Sequence, residues 1–359
     1  MLMDELTTDK KNQHYIPKFY LKKFSYNLND KQLGIFNLDT EFFKIDAKLK
    51  TQASKSFFYG RDGKLEDALG GLEKIYGETF KKIILSHKLS KNNPNEKREL
   101  ISFIVVSQLR NPLQISNAQN AFDDLEKTAK NLYPNETLKE PMGKISHEES
   151  VKILLGLMSE LAKYLHDLDY KLIINDSDLP FIISDNPIVK YNQFLEQVNR
   201  KGSTTSYGNI GIQIFIPLNP KLMVIFFDSK IYKLGYKKQQ EIKLNNYAEI
   251  TDLNILQFLN CDKMLFFNEK ITKNYILELK TKAEKFEKAN IAKTEVFKIF
   301  NEYESKFEDI IMRYESECVT NLKLSFIKLH SSKTHRILSN EMIQLRDTAK
   351  KIRENRHRS

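Results

Sequence analysis

The feature that most restricts the fold of this chain is a change in the spacing of its apolar residues near Tyr170. Between about 65 and 168, apolar residues recur every three or four positions, which is the period of an α-helix. After Tyr170, short apolar runs such as Ile212–Ile216 and Leu222–Phe227 are separated by turn residues, as in β-strands. A hairpin pattern also occupies Leu33–Lys48. The sequence therefore predicts an α+β fold, with N-terminal strands, a helical block, a small mostly antiparallel sheet and a helical C-terminal tail.

The same patterns predict individual elements and a division of the chain. Predicted helices cover 65–88, 93–110 with a kink or restart at Pro112, 123–132, 148–168, 245–260 and everything from Ile271 onward. Predicted strands cover 33–38, 42–45, 170–174, 181–183, 188–190, 212–216, 222–227 and 263–267. We expect an α+β core domain over 12–270 and a charged helical C-terminal region over 271–359.

Composition places the chain among ordinary globular proteins. Of its 359 residues 41% are hydrophobic and 29% are charged, and no apolar run approaches the ~20 residues of a membrane helix. The polar stretch Met1–Lys11 lacks the apolar core of a signal peptide. Its two widely separated cysteines favour reduced thiols, and without CxxC spacing a structural zinc site is not expected. These features predict a cytoplasmic protein without a membrane partner.

The net charge of +10, from 57 basic and 47 acidic residues, favours polyanionic partners. Coding bias towards lysine would produce the same excess without any function. Much of the excess lies in the tail from Leu322 to Ser359. We therefore expect one of two kinds of partner. One is nucleic acid, either RNA or DNA, and the other is a protein that contacts the C-terminal helices.

His14 is the first candidate for catalysis, in the segment Asn12–Phe24. Pro17 biases the residue before it towards an extended conformation, so His14 precedes the body of the fold on an extended strand. A histidine there can act as a general base, a metal ligand or a hydrogen-bond donor. The alternative is a packed histidine bonded to the backbone. Tyr15 beside it is a candidate for substrate binding or for packing with a polar tip.

Gln108 and Arg110 end an apolar, buried helix, where polar side chains are costly unless they are paired. Arg110 is a candidate for catalysis by binding phosphate oxygens, and Gln108 for substrate binding; an internal salt bridge is the alternative for Arg110.

Ser184, Asp185 and Asn186 follow the apolar strand 181–183. Asp185 can bind a cation, orient His14 or act as a base, while Ser184 and Asn186 are candidates for substrate binding; an Asx turn is the alternative.

Glu66 and Glu73 lie two helical turns apart, so both point to one face of the helix 65–88. Two carboxylates on one face can hold Mg²⁺, although such a face is more often solvated. The chain has no GxxxxGK[ST], GxGxxG, GxSxG or HExxH motif that would supply another cofactor or nucleophile.

Several of these segments resemble, in order, the motifs of the bacterial domain-of-unknown-function family 4238. The resemblance covers about 12–270, and its motifs correspond to His14–Leu21, Phe57–Glu73, Arg110–Pro112, Ser184–Pro187, Pro217–Pro220 and Asp252–Gln257. The family has no established chemistry to transfer. The resemblance implies only that His14, Arg110 and Asp185 converge in the fold.

The function predicted from these residues is cleavage of RNA or DNA, or another reaction on a phosphate-containing substrate, in a toxin or phage-defence setting. His14 would be the general base or acid, and Arg110 would stabilise phosphoryl charge. Asp185, with Glu66 or Glu73, would orient His14 or bind Mg²⁺. The alternative is a non-catalytic protein that binds nucleic acid or a partner protein through its basic tail.

Overall fold

The structure is a computed structural model that describes residues 11–90, 92–134, 145–197, 203–286, 292–301, 305–315, 320, 322, 324–330 and 344–358. The helices are α1 (Lys18–Leu21), α2 (Lys64–Ser86), α3 (Pro94–Leu109), α4 (Pro112–Leu132), α5 (His147–Gly156), α6 (Met158–Lys163), α7 (Gln193–Gln197), α8 (Tyr247–Asn260), α9 (Lys273–Ala283) and α10 (Asp347–Arg358). The strands are β1 (Asn12–His14), β2 (Gln32–Asn37), β3 (Phe43–Lys48), β4 (Ser54–Ser56), β5 (Asp169–Asn175), β6 (Ile183–Ser184), β7 (Val189–Tyr191), β8 (Gln213–Asn219), β9 (Leu222–Phe227), β10 (Tyr232–Leu234), β11 (Glu241–Leu244), β12 (Met264–Phe267), β13 (Ala292–Asn301), β14 (Lys306–Glu315) and β15 (Ile327–Leu329).

Two sheets form the centre of the fold. The larger has five strands in the order β11-β5-β9-β8-β7, and only its β11–β5 pair is parallel. The smaller has four antiparallel strands in the order β3-β2-β12-β6. The expected α+β class with mostly antiparallel pairing is confirmed, as is the N-terminal hairpin.

The five-stranded sheet is buried on both faces, which explains why its strands are continuous apolar runs. Along β9, Val224 and Phe226 pack with α2 and α3, whereas Met223 and Ile225 pack with α8 and α9. The alternation follows from the two-residue period of a strand, since successive side chains point to opposite faces. The sheet is therefore the middle layer between two helical layers.

The N-terminal motif is tied into this core by aromatic packing. Tyr20 is fully buried, its ring centroid lies 5.3 Å from that of Phe103 on α3, and its hydroxyl donates to the carbonyl oxygen of Pro217 at 2.6 Å. The segment that carries His14 is thus fixed against both α3 and β8.

The break between α3 and α4 lies where the sequence places a proline. Asn111 caps α4 by accepting a hydrogen bond from the backbone N–H of Leu113 at 2.9 Å, and Pro112 occupies the first helical position. Proline is favoured there because its missing N–H has no partner in a first turn. The expected restart is confirmed, but α4 begins at Pro112 rather than at 123.

The prediction that the chain is helical throughout from Ile271 onward is wrong for 292–301, 306–315 and 327–329. There β13 and β14 form an antiparallel hairpin in which Val296 pairs with Ile311 and Phe300 with Phe307. Frequent charges obscured the β-branched and aromatic content that favours strands. Helices α9 and α10 lie at the two ends of this region, and residues 331–343 lie outside the described part of the chain.

The C-terminal region contacts the core at several points, and the domain boundary at 270–271 stays a prediction. Tyr275 of α9 accepts a hydrogen bond from Asn254 of α8 at 2.9 Å, and the backbone N–H of Thr320 donates to Glu196 at 2.8 Å. Among the described helices, none combines the length and the apolar character that crossing a membrane requires.

Candidate functional site

His14 is buried at the end of β1, on the short β1–β4 ribbon. Burial lowers the pKa of its imidazole from 6.5 to about 4, and the charges of Lys18 and Arg110 lower it too, against hydrogen bonds to the backbone of Asn12 and Lys50. Its Nε2 atom is buried and has no hydrogen-bond partner in the described part of the chain. At neutral pH, His14 is therefore an uncharged imidazole whose backbone bonds use Nδ1 and whose Nε2 is available to accept a proton.

Arg110 ends α3 with a guanidinium that is completely buried. Its Nη1 lies 2.7 Å from Oε1 of Glu73 on α2. Its Nε and Nη2 are also buried, and neither has a hydrogen-bond partner among the described residues. These two nitrogens form one edge of the planar guanidinium, the edge that binds a carboxylate or phosphate through two parallel hydrogen bonds. The ion pair with Glu73 does not use this edge, and the hydroxyl of Tyr59 is the neighbouring group that interacts with the guanidinium.

Tyr59 joins the backbone of His14 to the side chain of Arg110. Its hydroxyl donates to the carbonyl oxygen of His14 at 3.0 Å and interacts with the Arg110 guanidinium through a side-chain hydrogen bond. The charges of Arg110 and Glu73 also act on Tyr59. Its backbone N–H is held by the side chain of Gln13, which itself donates to the carbonyl oxygen of Gly60. Sequence patterns gave no reason to select Tyr59, because it is one of three consecutive aromatic residues and only its burial beside Arg110 distinguishes it.

The two candidate metal ligands on α2 have different surroundings. The side chain of Glu73 is 27% exposed and pairs with Arg110. Glu66 lies two helical turns earlier, is partly buried, and its charge acts on Tyr59. Within the described ranges, no group of three or more histidine, cysteine, aspartate or glutamate side chains is placed to hold a metal ion. The prediction of Mg²⁺ at Glu66 and Glu73 is left as a prediction.

Asp185 lies in a different environment from His14. Its carboxylate accepts backbone hydrogen bonds from Asp262 (2.8 Å), Lys263 (2.7 Å) and Met264 (3.0 Å). Burial raises its pKa, against the effect of these three bonds. Asp185 therefore fixes the turn that follows α8, and its predicted part in orienting the imidazole of His14 stays a prediction.

Gln108, Ser184 and Asn186 belong to one buried polar network. Gln108 donates to the side chain of Asn186 at 3.3 Å and to the carbonyl oxygen of Ile188 at 2.8 Å. Ser184 donates to the carbonyl oxygen of Asn186, and its backbone N–H donates to Gln257 of α8. Because their polar atoms bond to one another and to the backbone, these residues hold the Ser184–Pro187 turn between α3 and α8.

A pocket of about 440 Å³ lies beside the start of α3. A smaller pocket, of about 230 Å³, lies where the motif segments meet. Its walls include Tyr15, Lys55, Asn111, Asp185 and Lys263. Burial raises the pKa of the Tyr15 hydroxyl, and the charge of Asp185 adds to this rise, so the hydroxyl keeps its proton. Lys55 and Lys263 escaped the sequence analysis because single exposed lysines carry no pattern.

The motif residues therefore divide between two neighbouring places. His14, Arg110 and Glu73 share the buried cluster, whereas Tyr15 and Asp185 line the pocket. Consecutive residues of an extended segment point to opposite sides, so His14 and Tyr15 serve different places although they are adjacent. Arg110 and Asn111 are likewise adjacent residues that serve different places. Arg110 lies in the buried cluster, whereas Asn111 lines the pocket and donates to the carbonyl oxygen of Asp185 at 3.0 Å.

Comparison with known proteins gives one match. The model of the family described as "Protein of unknown function (DUF4238)" matches residues 12–271, which include every motif segment discussed above. No curated protein and no solved structure matches the chain.

Proposed function

The chain belongs to the DUF4238 family, and we propose that it is an enzyme that acts on a phosphate-containing substrate, with cleavage of RNA or DNA as its reaction. The observation that supports this proposal is the open Nε–Nη2 edge of Arg110, buried in the same cluster as the unpaired Nε2 atom of His14. Unpaired buried polar atoms are costly, so a site that retains three of them is suited to a ligand that satisfies them.

The chemistry of the two side chains is complementary. Two non-bridging phosphate oxygens match the Nε–H and Nη2–H donors of Arg110, which would stabilise the charge that develops on the phosphoryl group. His14 Nε2 would accept the proton of the attacking hydroxyl or water as the new O–P bond forms. The O–P bond to the leaving oxygen then breaks, this oxygen takes up a proton from water, and His14 returns its own proton to the solvent.

The low pKa of His14 fits this role once substrate is bound. At a pKa of about 4 the free imidazole is neutral but a weak base. A phosphate group bound to Arg110 would bring negative charge close to the ring, and a nearby opposite charge favours the protonated form. Substrate binding would therefore raise the basicity of His14 when the proton has to be taken up.

Mg²⁺ would belong to this proposal through the carboxylates of Glu66 and Glu73. The cellular setting that we propose, a cytoplasmic toxin or phage-defence nuclease, rests on the sequence argument. The buried thiol of Cys261 is consistent with a reducing compartment.

The test is incubation of the purified protein with total tRNA, mRNA and DNA, in Mg²⁺ or in EDTA. Wild type is compared with His14→Asn, and His87→Asn at an exposed position serves as a matched control. His87 has a positive φ of 53°, a conformation that asparagine tolerates. We expect cleavage by wild type and by His87→Asn, and its loss in His14→Asn. Activity in EDTA would assign the chemistry to side chains, and activity only in Mg²⁺ would support the metal site.

Arg110→Lys tests the open edge separately. Lysine keeps the buried positive charge opposite Glu73 but lacks the planar fork. We expect a folded protein with greatly reduced cleavage. Full activity of either His14→Asn or Arg110→Lys would refute the proposed site, and binding without cleavage by wild type would favour the non-catalytic alternative.

A further inference from the structure

Helix α10 lies antiparallel to α6 and is fixed at both ends. Before its first turn, Arg346 contacts Asp167 at 3.0 Å and donates to the carbonyl oxygen of Asn209 at 2.8 Å. Near its other end, Arg356 contacts Glu160 at 2.9 Å. The basic end of the chain is therefore held in a defined position on the body of the protein.

The beginning of α3 lies on the other side of the turn that follows α6. Lys97 donates to the carbonyl oxygens of His166 (2.7 Å) and Leu168 (2.6 Å), and Arg98 is exposed beside it. Burial lowers the pKa of His166, and the charges of Lys97 and Arg98 lower it as well, against the charge of Asp167, which raises it. The field around this turn is thus positive.

The acidic side chains around α6 and α10 form ion pairs with lysine or arginine, so the other cations give this region a net positive charge. Asp167 pairs with Arg346, Glu160 with Arg356, and Asp347 with Lys230. Helix α10 itself contains five lysine and arginine residues and two acidic residues. Lys163 and Arg356 share the single carboxylate of Glu160, so this trio keeps one net positive charge. Together with the exposed Arg98, Lys351 and Arg353, these two residues form what we call the α3–α10 basic surface.

We propose that the α3–α10 basic surface docks the sugar–phosphate backbone of a single-stranded nucleic acid. The inference rests on the proposed function, since it names the partner surface of the same enzyme. Lysine and arginine side chains that release counterions from phosphates supply most non-specific affinity for nucleic acids. A membrane surface fits less well, because α10 contains one large apolar residue, Ile352, and an interfacial helix needs a broad apolar face.

Helix α3 relates this surface to the buried cluster. Lys97 and Arg110 lie near its opposite ends, and at 1.5 Å per residue the separation along the helix is about 20 Å. At about 3.4 Å per nucleotide along a strand, this distance corresponds to roughly six nucleotides.

The experiment measures binding in the His14→Asn background, so that chemistry does not interfere. The probe is a fluorescein-labelled 20-nucleotide single strand, as RNA and as DNA, followed by fluorescence anisotropy between 50 and 300 mM KCl. The test variant is Lys351→Gln/Arg353→Gln. The matched control is Lys270→Gln/Lys273→Gln, which removes two exposed cations beside or on α9, away from α6.

We expect the test variant to bind more weakly, and its slope of log K against log salt to be less steep by about 1.4, or ~0.7 for each lost phosphate contact. The control should keep the slope of the parent. Equal slopes in both variants, no binding by the parent, or preferential binding to phosphatidylserine vesicles would overturn the inference. A changed slope together with no cleavage by wild type would retain the docking surface and reject the nuclease chemistry.

Discussion

The low pKa of His14 makes the stability of the protein depend on pH in a defined direction. The folded-state pKa is about 4 and the ordinary value is 6.5, so the unfolded chain binds a proton that the folded chain excludes. The free energy of unfolding therefore falls as pH drops through 6.5, and the loss is complete below pH 4. At 1.36 kcal/mol per pKa unit the full effect is about 3 kcal/mol, of which about 2 kcal/mol is expressed between pH 7 and pH 4.5.

Guanidinium unfolding of wild type and His14→Asn at these two pH values measures this effect. Other titrating groups contribute equally to both proteins, so the difference between their pH dependences isolates His14. Wild type should lose about 2 kcal/mol more than the variant between pH 7 and pH 4.5. Equal losses would show that His14 titrates normally in the folded state, and the reasoning from its burial would then be wrong. Titration of the imidazole by NMR supplies an independent value.

Four further substitutions test the site and the packing of the fold, each by denaturant unfolding against wild type. Glu73→Gln leaves the Arg110 guanidinium buried without a counter-charge and should lower the free energy of unfolding by about 3 kcal/mol. Arg110→Met removes the buried charge and should lower it much less. Equal losses in the two variants would contradict the ion-pair argument. Asp185→Asn weakens the acceptor of three backbone N–H groups and should cost about 2 kcal/mol, and an unchanged stability would contradict that role. Gly34→Ala places a Cβ atom 2.2 Å from the ring of Phe267, so we expect a loss of at least ~1 kcal/mol; a neutral result would mean that the ring moves at no cost.

Local pattern was sufficient for most of the elements. The three- and four-residue spacing that predicts a helix over 65–88 corresponds to α2, and the apolar runs at 212–216 and 222–227 correspond to β8 and β9. These signals are reliable because the period of the apolar residues is set by the geometry of the backbone. The hairpin of β13 and β14 was missed because charged residues interrupt the apolar alternation on both faces.

The candidate site shows the same limit more clearly. Sequence alone identified His14, Arg110 and Asp185 as polar residues next to apolar segments, where a polar side chain requires a partner or a function. It could not tell that Glu73 pairs with Arg110 or that Asp185 binds the backbone of a turn after α8, because these contacts join segments far apart in the chain.

The sequence by itself determined the α+β class, the order of most elements and the segments that carry unusual polar side chains. The tertiary structure decided which of those side chains meet, since partners such as Tyr59 and Glu73 are selected by packing and not by spacing. It also decided their chemical state: the neutral imidazole of His14 and the open edge of Arg110 follow from burial, which removes water and leaves each polar atom dependent on the neighbours that the fold provides.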